Sequence, residues 1–185
     1  MPAHLAFPGD GLSWSWSGPD DERVHGTVRW ENEGFTVEGT LGRDDATYVV
    51  RLSAMLRVQQ LLLFRDLEEP DLWLARDRHG RWGEVNGAHR PDLDGCEFVD
   101  FARTPLTNSL VIRALPLAHP DAALVSVAAI DVTTLGITAR TVRYERTGDA
   151  SWRYESLLTG STVEADVDAH GIVVDESAGY RRIAE

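Results

Sequence analysis

Short apolar alternations, each closed by a turn signal, run through this chain almost from end to end. Val24 to Trp30, Phe35 to Leu41 and Ala46 to Leu52 follow the two-residue period of a half-buried strand. Asn32-Glu33-Gly34 and Gly42-Arg43-Asp44-Asp45 separate them. Leu72 to Ala75 and Arg81 to Val85 read as a hairpin about His79-Gly80. Ile137 to Thr147, Ser151 to Thr159, Ser161 to Val167 and Gly171 to Asp175 read as a meander, with turns at Gly148-Asp149, Gly160 and His170-Gly171. Ala122 to Val132 is the most apolar run, and its β-branched residues predict a central strand covered on both faces. So many strands with almost no helical period predict an all-β, mainly antiparallel barrel, sandwich or strongly curved sheet.

Two segments are less plain. Residues 1–22 are rich in Pro, Gly, Asp and Ser, and Trp14 and Trp16 share one face if this piece is extended. A ragged terminus with one edge strand is the expectation. Leu52 to Phe64 contains no Gly or Pro and fits either one long strand or a helix, and its strand neighbours favour the strand. Asp77-Arg78-His79-Gly80 and Asp168-Ala169-His170-Gly171 are two similar turn tetrapeptides, each between strands.

The stretch Gly80 to Leu117 is the densest in special residues. Asn86-Gly87 is a hairpin turn signal because both residues tolerate positive φ, and Asp94-Gly95 is a second. Pro105 biases Thr104 towards an extended conformation. With Phe98 and Val99, and then Leu110 and Ile112, the stretch reads as strands joined by tight turns. Asp100, Thr104, Thr107, Asn108 and Arg113 must find hydrogen-bond partners wherever the sheet buries them. Thr104, Thr107 and Asn108 either cap backbone groups in a corner or present donors and acceptors to sugar hydroxyls. Arg113 either clamps an anion bidentately or pairs with Asp100.

A length of 185 residues fits one domain, 1–185, with a core that needs no disulfide or metal. All 18 basic residues are Arg, which excludes Schiff-base, phosphate-loop and general-base lysines. The net charge of −12 argues against nucleic acid and anionic lipid surfaces as bulk partners. No window has the apolar length of a membrane-spanning helix, and no leader pattern opens the chain, so a cytoplasmic location is the expectation.

Catalytic and metal signals are sparse. His79, His89 and Cys96 lack the paired spacing of a zinc site, so no metal and no cofactor is expected. Cys96 follows a turn and leads into an apolar strand, which predicts a buried, inert thiol. Asp100 or Glu84 with Arg113 could serve a glycosidase-type enzyme, although sequence fixes no carboxylate separation. Trp82, Tyr144, Trp152 and Tyr154 have polar neighbours and could stack on sugars or acyl chains, beside the alternative of ordinary sheet packing.

The same stretch carries a family resemblance. Gly80 and Trp82, Leu93-Asp94-Gly95-Cys96, Asp100, Thr104-Pro105-Leu106-Thr107-Asn108 and Ile112-Arg113 with Leu115 resemble the central signature of the bacterial family described as "putative glycolipid-binding". Phe98 stands where that family usually has Asp, Val111 where it has Pro, and Ala114 where it has a second Arg. Arg143-Tyr144, Tyr154-Glu155-Ser156 and Val167-Asp168 with Gly171-Ile172-Val173 extend the resemblance, whereas the first third matches loosely. The resemblance implies an incomplete or split, curved β-barrel with little helix, similar to lipoprotein carriers. It implies an apolar concave cavity for a lipid or glycolipid. The site residues it suggests are Trp82, Asp100, Thr104, Thr107, Asn108, Arg113, Tyr144, Trp152 and Tyr154. Open sheet edges also leave a homodimer as a possible partner arrangement.

Overall fold

The computed structural model describes residues 4–42, 46–66 and 68–183. The expected turn residues Arg43, Asp44 and Asp45 lie outside this set, as does Leu67 in the acidic loop. The protein is mostly β, with one fourteen-stranded sheet.

Seven strands come first: β1 Leu12–Ser17, β2 Arg23–Glu31, β3 Gly34–Leu41, β4 Ala46–Ser53, β5 Val58–Phe64, β6 Leu72–Arg76 and β7 Trp82–Glu84. Then come β8 Phe98–Phe101, helix α1 Leu106–Ala114, β9 Ala122–Ile130 and β10 Ile137–Arg146. The chain ends with β11 Ser151–Ser156, β12 Thr162–Val167, β13 Val173–Glu176 and β14 Arg181–Arg182. Neighbours in sequence are antiparallel neighbours in the sheet, except that β8 lies parallel to β9 and that β7 and β8 stand at its two opposite edges, while β1 meets β14. The two runs β7 to β1 and β14 to β8 are joined at that central seam.

β1 therefore lies in the middle of the sheet and not at its edge, contrary to the expectation for residues 1–22. Burial explains this placement. Trp16 is fully buried, and its indole N–H donates to the Val173 carbonyl at 2.9 Å. One large ring thus ties β1 to β13 across the seam, which a Pro/Gly-rich composition does not signal.

The strands at the far ends of the sheet approach one another without closing a barrel. The Val58 amide, at the start of β5, donates to Glu97 just before β8 at 3.0 Å. The Glu97 amide in turn donates to Ser126 on β9 at 3.1 Å. A sheet whose distant strands meet in this way must be curled, and α1 occupies the concave side. Leu106 and Leu110 pack into a core cluster with Trp16, Val28, Val37, Tyr48 and Phe101. Val111 and Ile112 pack into a second cluster with Val127, Tyr144, Trp152 and Val173.

The strand reading of this stretch is thus corrected: Leu106 to Ala114 is a helix, and where it lies the hollow is filled. Both flanks of α1 are buried in apolar clusters and its Thr107 and Ser109 are buried as well, so no solvent-facing polar stripe reveals a 3.6-residue period. Pro105 starts it, Thr104 Oγ1 accepts the Leu106 amide at 3.3 Å, and the Ser109 amide donates to the Pro105 carbonyl at 3.0 Å. Gly26 makes room for the helix, because a Cβ there would sit 2.3 Å from a Leu106 methyl.

Two further expectations change. Leu52 to Phe64 is neither one long strand nor a helix but a reversal between β4 and β5. The Ser53 amide donates to Arg57 at 2.8 Å, and Leu56 adopts φ 61°, a left-handed turn with no Gly, Asn or Pro to announce it. β9 lies next to the edge strand and not at the centre. Its first half alternates, leaving Leu124 65% exposed, and only Val127 to Ile130 is covered on both faces.

The paired tetrapeptides do form the same turn. Asp77 Oδ1 accepts the amides of His79 at 2.8 Å and Arg81 at 3.0 Å, and Gly80 takes φ 83°. Asp168 Oδ1 accepts those of His170 at 2.9 Å and Ile172 at 3.0 Å, and Gly171 takes φ 78°.

Candidate functional site

The nine residues singled out by sequence divide into a network of five, three scattered packing or capping positions, and one residue at a cleft. Five converge on a buried polar network between α1 and the second half of the sheet. The Thr107 hydroxyl accepts the Phe101 amide at 3.3 Å and donates to Asp100 at 3.4 Å. The Tyr144 hydroxyl donates to Asn108 Oδ1 at 2.6 Å. The Tyr144 and Tyr154 rings lie 5.5 Å apart, and the Tyr154 hydroxyl donates to Glu176. Helical spacing makes this possible, since Thr107 and Asn108 leave the first turn of α1 towards β8 and β10.

Burial dominates the electrostatics of this network. It raises the Glu176 carboxyl to about 7, helped by Asp100 and Asp175 and opposed by the Tyr154 hydroxyl. Burial likewise raises Asp100, against the pull of Thr107 and Arg140. Both tyrosines are pushed well above their ordinary range, first by burial and then by neighbouring carboxylates. The network holds the helix against the sheet. Glu176, whose carboxyl burial raises to about 7, carries no sequence signal beyond an acidic residue at a strand end.

Trp82, Thr104 and Trp152 stand apart from this network. Trp82 is buried in the first core cluster, where its indole N–H donates to the Cys96 carbonyl at 3.0 Å. Thr104 caps the start of α1. Trp152 packs in the second cluster, with the Arg146 guanidinium 6.0 Å from its ring. Asp100 does not pair with Arg113, and Glu84 binds Arg90 at 3.3 Å. Asp100 and Glu84 line different surface depressions, so they do not face each other across one site. No group of three or more potential metal ligands occurs among the described residues. Cys96 is buried and its thiol is pushed up by burial. It should react with an aromatic disulfide reagent at least a hundred-fold more slowly in the native protein than in denaturant, read as colour release.

The cleft, of about 600 Å³, lies at the C-terminal end of α1. Its apolar wall is built by Phe35, Met55, Leu56, Leu115, Pro116 and Leu117. Met55 stands 74% exposed on the β4–β5 reversal, and Leu115 to Leu117 continue from α1 in extended form. Arg57, Arg113, His4 and Asp121 supply the polar rim. Arg113 is anchored rather than free to swing. Its Nη1 donates to the Leu5 carbonyl at 2.8 Å and the His170 carbonyl at 2.6 Å, and its guanidinium lies 3.7 Å from the Phe7 ring centre. Arg57 pairs with Glu97 at 3.0 Å and lies 4.7 Å from the Phe98 ring centre. Of the nine residues, Arg113 alone lines this cleft. The wall could not be foreseen, because it depends on the reversal at Leu56 and on where the helix stops.

These features define a class: a curled, largely antiparallel sheet holding a central helix, with a ligand-sized cleft at the helix end. The chain belongs to the family described as "Putative glycolipid-binding", whose sequence model matches residues 14–182. A crystal structure of a DUF1089 family protein from Pseudomonas aeruginosa is similar, with a TM-score of 0.70 at 22% identity over 97% of this chain and 95% of that one. That likeness shows a shared fold. No curated protein matches. No helix among the described residues is long and apolar enough to cross a membrane.

Proposed function

We infer that the protein binds an amphiphile without transforming it, with the acyl or alkyl part in the cleft at the end of α1. The observation that carries this is the cleft itself: about 600 Å³, walled by Phe35, Met55, Leu115 and Leu117, with a mainly apolar lining and four polar side chains, His4, Arg57, Arg113 and Asp121. That volume falls within the ~300–1,000 Å³ usual for small-molecule sites, which are mainly apolar with a few placed polar groups. Membership of a family described by glycolipid binding supports the same ligand class. On this reading the curled sheet acts as a split barrel with its middle occupied by α1, and the ligand enters beside the helix end instead of along the whole concave face.

Lipid extracted from the purified protein and identified by mass spectrometry should contain a stoichiometric amphiphile. Met55→Asp places a charge on an exposed part of the wall. It should weaken binding of a fluorescent single-chain lipid by at least ten-fold while leaving the melting temperature within a few degrees. Unchanged affinity in that variant would remove the cleft from the reading.

A further inference from the structure

Among the described residues, Arg113 is a half-buried cation without a counter-ion. Among the described residues it forms hydrogen bonds only to two carbonyls, and no carboxylate lies within ion-pair distance. The nearby acid Asp168 is already engaged. One oxygen takes the turn amides of His170 and Ile172, and the other binds Arg182 at 2.6 Å. Arg146, buried below Leu117, is likewise satisfied by carbonyls, those of Leu117, Gly148 and Asp149. Most other arginines here, including the cleft's own Arg57, hold a carboxylate.

A half-buried charge left unpaired is costly, and in a chain of net charge −12 a carboxylate partner would be easy to supply. The cleft lining also holds two arginines, Arg57 and Arg113, against one acid, Asp121. His4, on the same rim, is held below its ordinary value by burial and then by Arg113 and Arg146, against Asp168. The Arg113 guanidinium is also pre-oriented, since Nη1 is held by two carbonyls and one face of the plane lies on the Phe7 ring, while the group lines the cleft. Such a fixed fork suits the planar or tetrahedral oxygens of a carboxylate, sulfate or phosphate.

We propose that the cleft selects single-chain amphiphiles with an anionic headgroup, held by Arg113 at the rim while the chain lies along Leu115, Pro116 and Leu117. This rests on the amphiphile reading of the cleft and adds the charge of its ligand.

Titration calorimetry below the micelle concentration would compare three probes on the full chain: dodecyl phosphate, dodecyl maltoside and inorganic phosphate. Dodecyl phosphate should bind at least ten-fold more tightly than dodecyl maltoside, and inorganic phosphate at least a hundred-fold more weakly than dodecyl phosphate. Arg113→Gln should weaken dodecyl phosphate at least ten-fold more than dodecyl maltoside, and Arg113→Lys should retain part of the preference. Equal binding of the two dodecyl probes by the wild-type protein would overturn the anionic selection and leave the amphiphile reading standing. Failure of both dodecyl probes to bind would overturn both. Inorganic phosphate binding as tightly as dodecyl phosphate would also overturn the proposal, by showing an anion site with no role for the chain. The wild-type comparison decides the matter even if the Gln variant does not fold.

Discussion

Replacing Glu176 with Gln is expected to flatten the stability profile between pH 5 and 7 and to make the protein more stable at pH 8. Glu176 is raised from 4.5 to about 7 in the folded state, chiefly by burial. The native protein therefore holds this proton through a range in which the unfolded chain has released it. Stability from this source is fully present below about 4.5, falls as pH rises through the window, and stays low above about 7. At about 1.4 kcal/mol per pH unit, the swing is on the order of 3 kcal/mol for this carboxyl. The neutral amide of Gln keeps an acceptor for the Tyr154 hydroxyl and removes the titration. Asp100 is raised by burial and contributes a slope of the same sign. His4 is lowered by burial and contributes one of opposite sign. The measurement is accordingly the difference between the two proteins' urea-unfolding free energies from pH 4.5 to 8. Tyr154→Phe removes the donor that favours the carboxylate, so it should steepen the slope. Parallel curves for the wild-type protein and Glu176→Gln would show that the side chain is not the source.

How far the sequence discloses this molecule depends on how locally each feature is encoded. The hairpins from β2 to β4 and from β10 to β12 were legible because their alternation and turn residues sit within a few positions of one another. The two Asp-x-His-Gly turns were legible for the same reason, since the Asp side chain bonds amides two and four residues on. Helix α1 was not legible. With Leu106 and Leu110 in one cluster and Val111 and Ile112 in the other, burial on two flanks erased the period that marks a surface helix. The central position of β1 was hidden as well, because it depends on strands 13 and 14 at the far end of the chain. Family resemblance pointed to Asp100, Thr107, Asn108, Tyr144 and Tyr154, and these do meet, in a network that seats the helix. The cleft is assembled from the β4–β5 reversal, which has no motif character, and from the exit of α1, where Arg113 and Leu115 end the family signature, two segments distant in sequence. Of the nine candidate site residues, only Arg113 belongs to it.

Truncating Leu106 to Ala should be the most damaging single change in the helix. The side chain is fully buried in the first core cluster, and its methyl lies where a Cβ on Gly26 would be. β2 is far from α1 in sequence, so nothing local can move in to fill the space left behind. Losing three buried carbons at a site that cannot collapse costs roughly 2–5 kcal/mol. For a chain of this size that is about 5–15 °C in melting temperature. Ser109 fixes the helix from the other side, donating to Pro105 at 2.8 Å and accepting the Val173 amide at 3.0 Å, so the backbone is held while the cavity opens. Calorimetric melting reads the loss, and a cost below about 1 kcal/mol would mean that the sheet closes over the gap. The same variant separates two ideas of where a ligand sits. A cavity beneath Leu106 lies inside the curl of the sheet, away from the cleft residues Leu115 to Leu117. Lipid affinity, measured well below the lowered melting temperature, should therefore stay within about two-fold of wild type. A tighter complex in Leu106→Ala would instead place the acyl chain in the interior of the sheet, in competition with the helix.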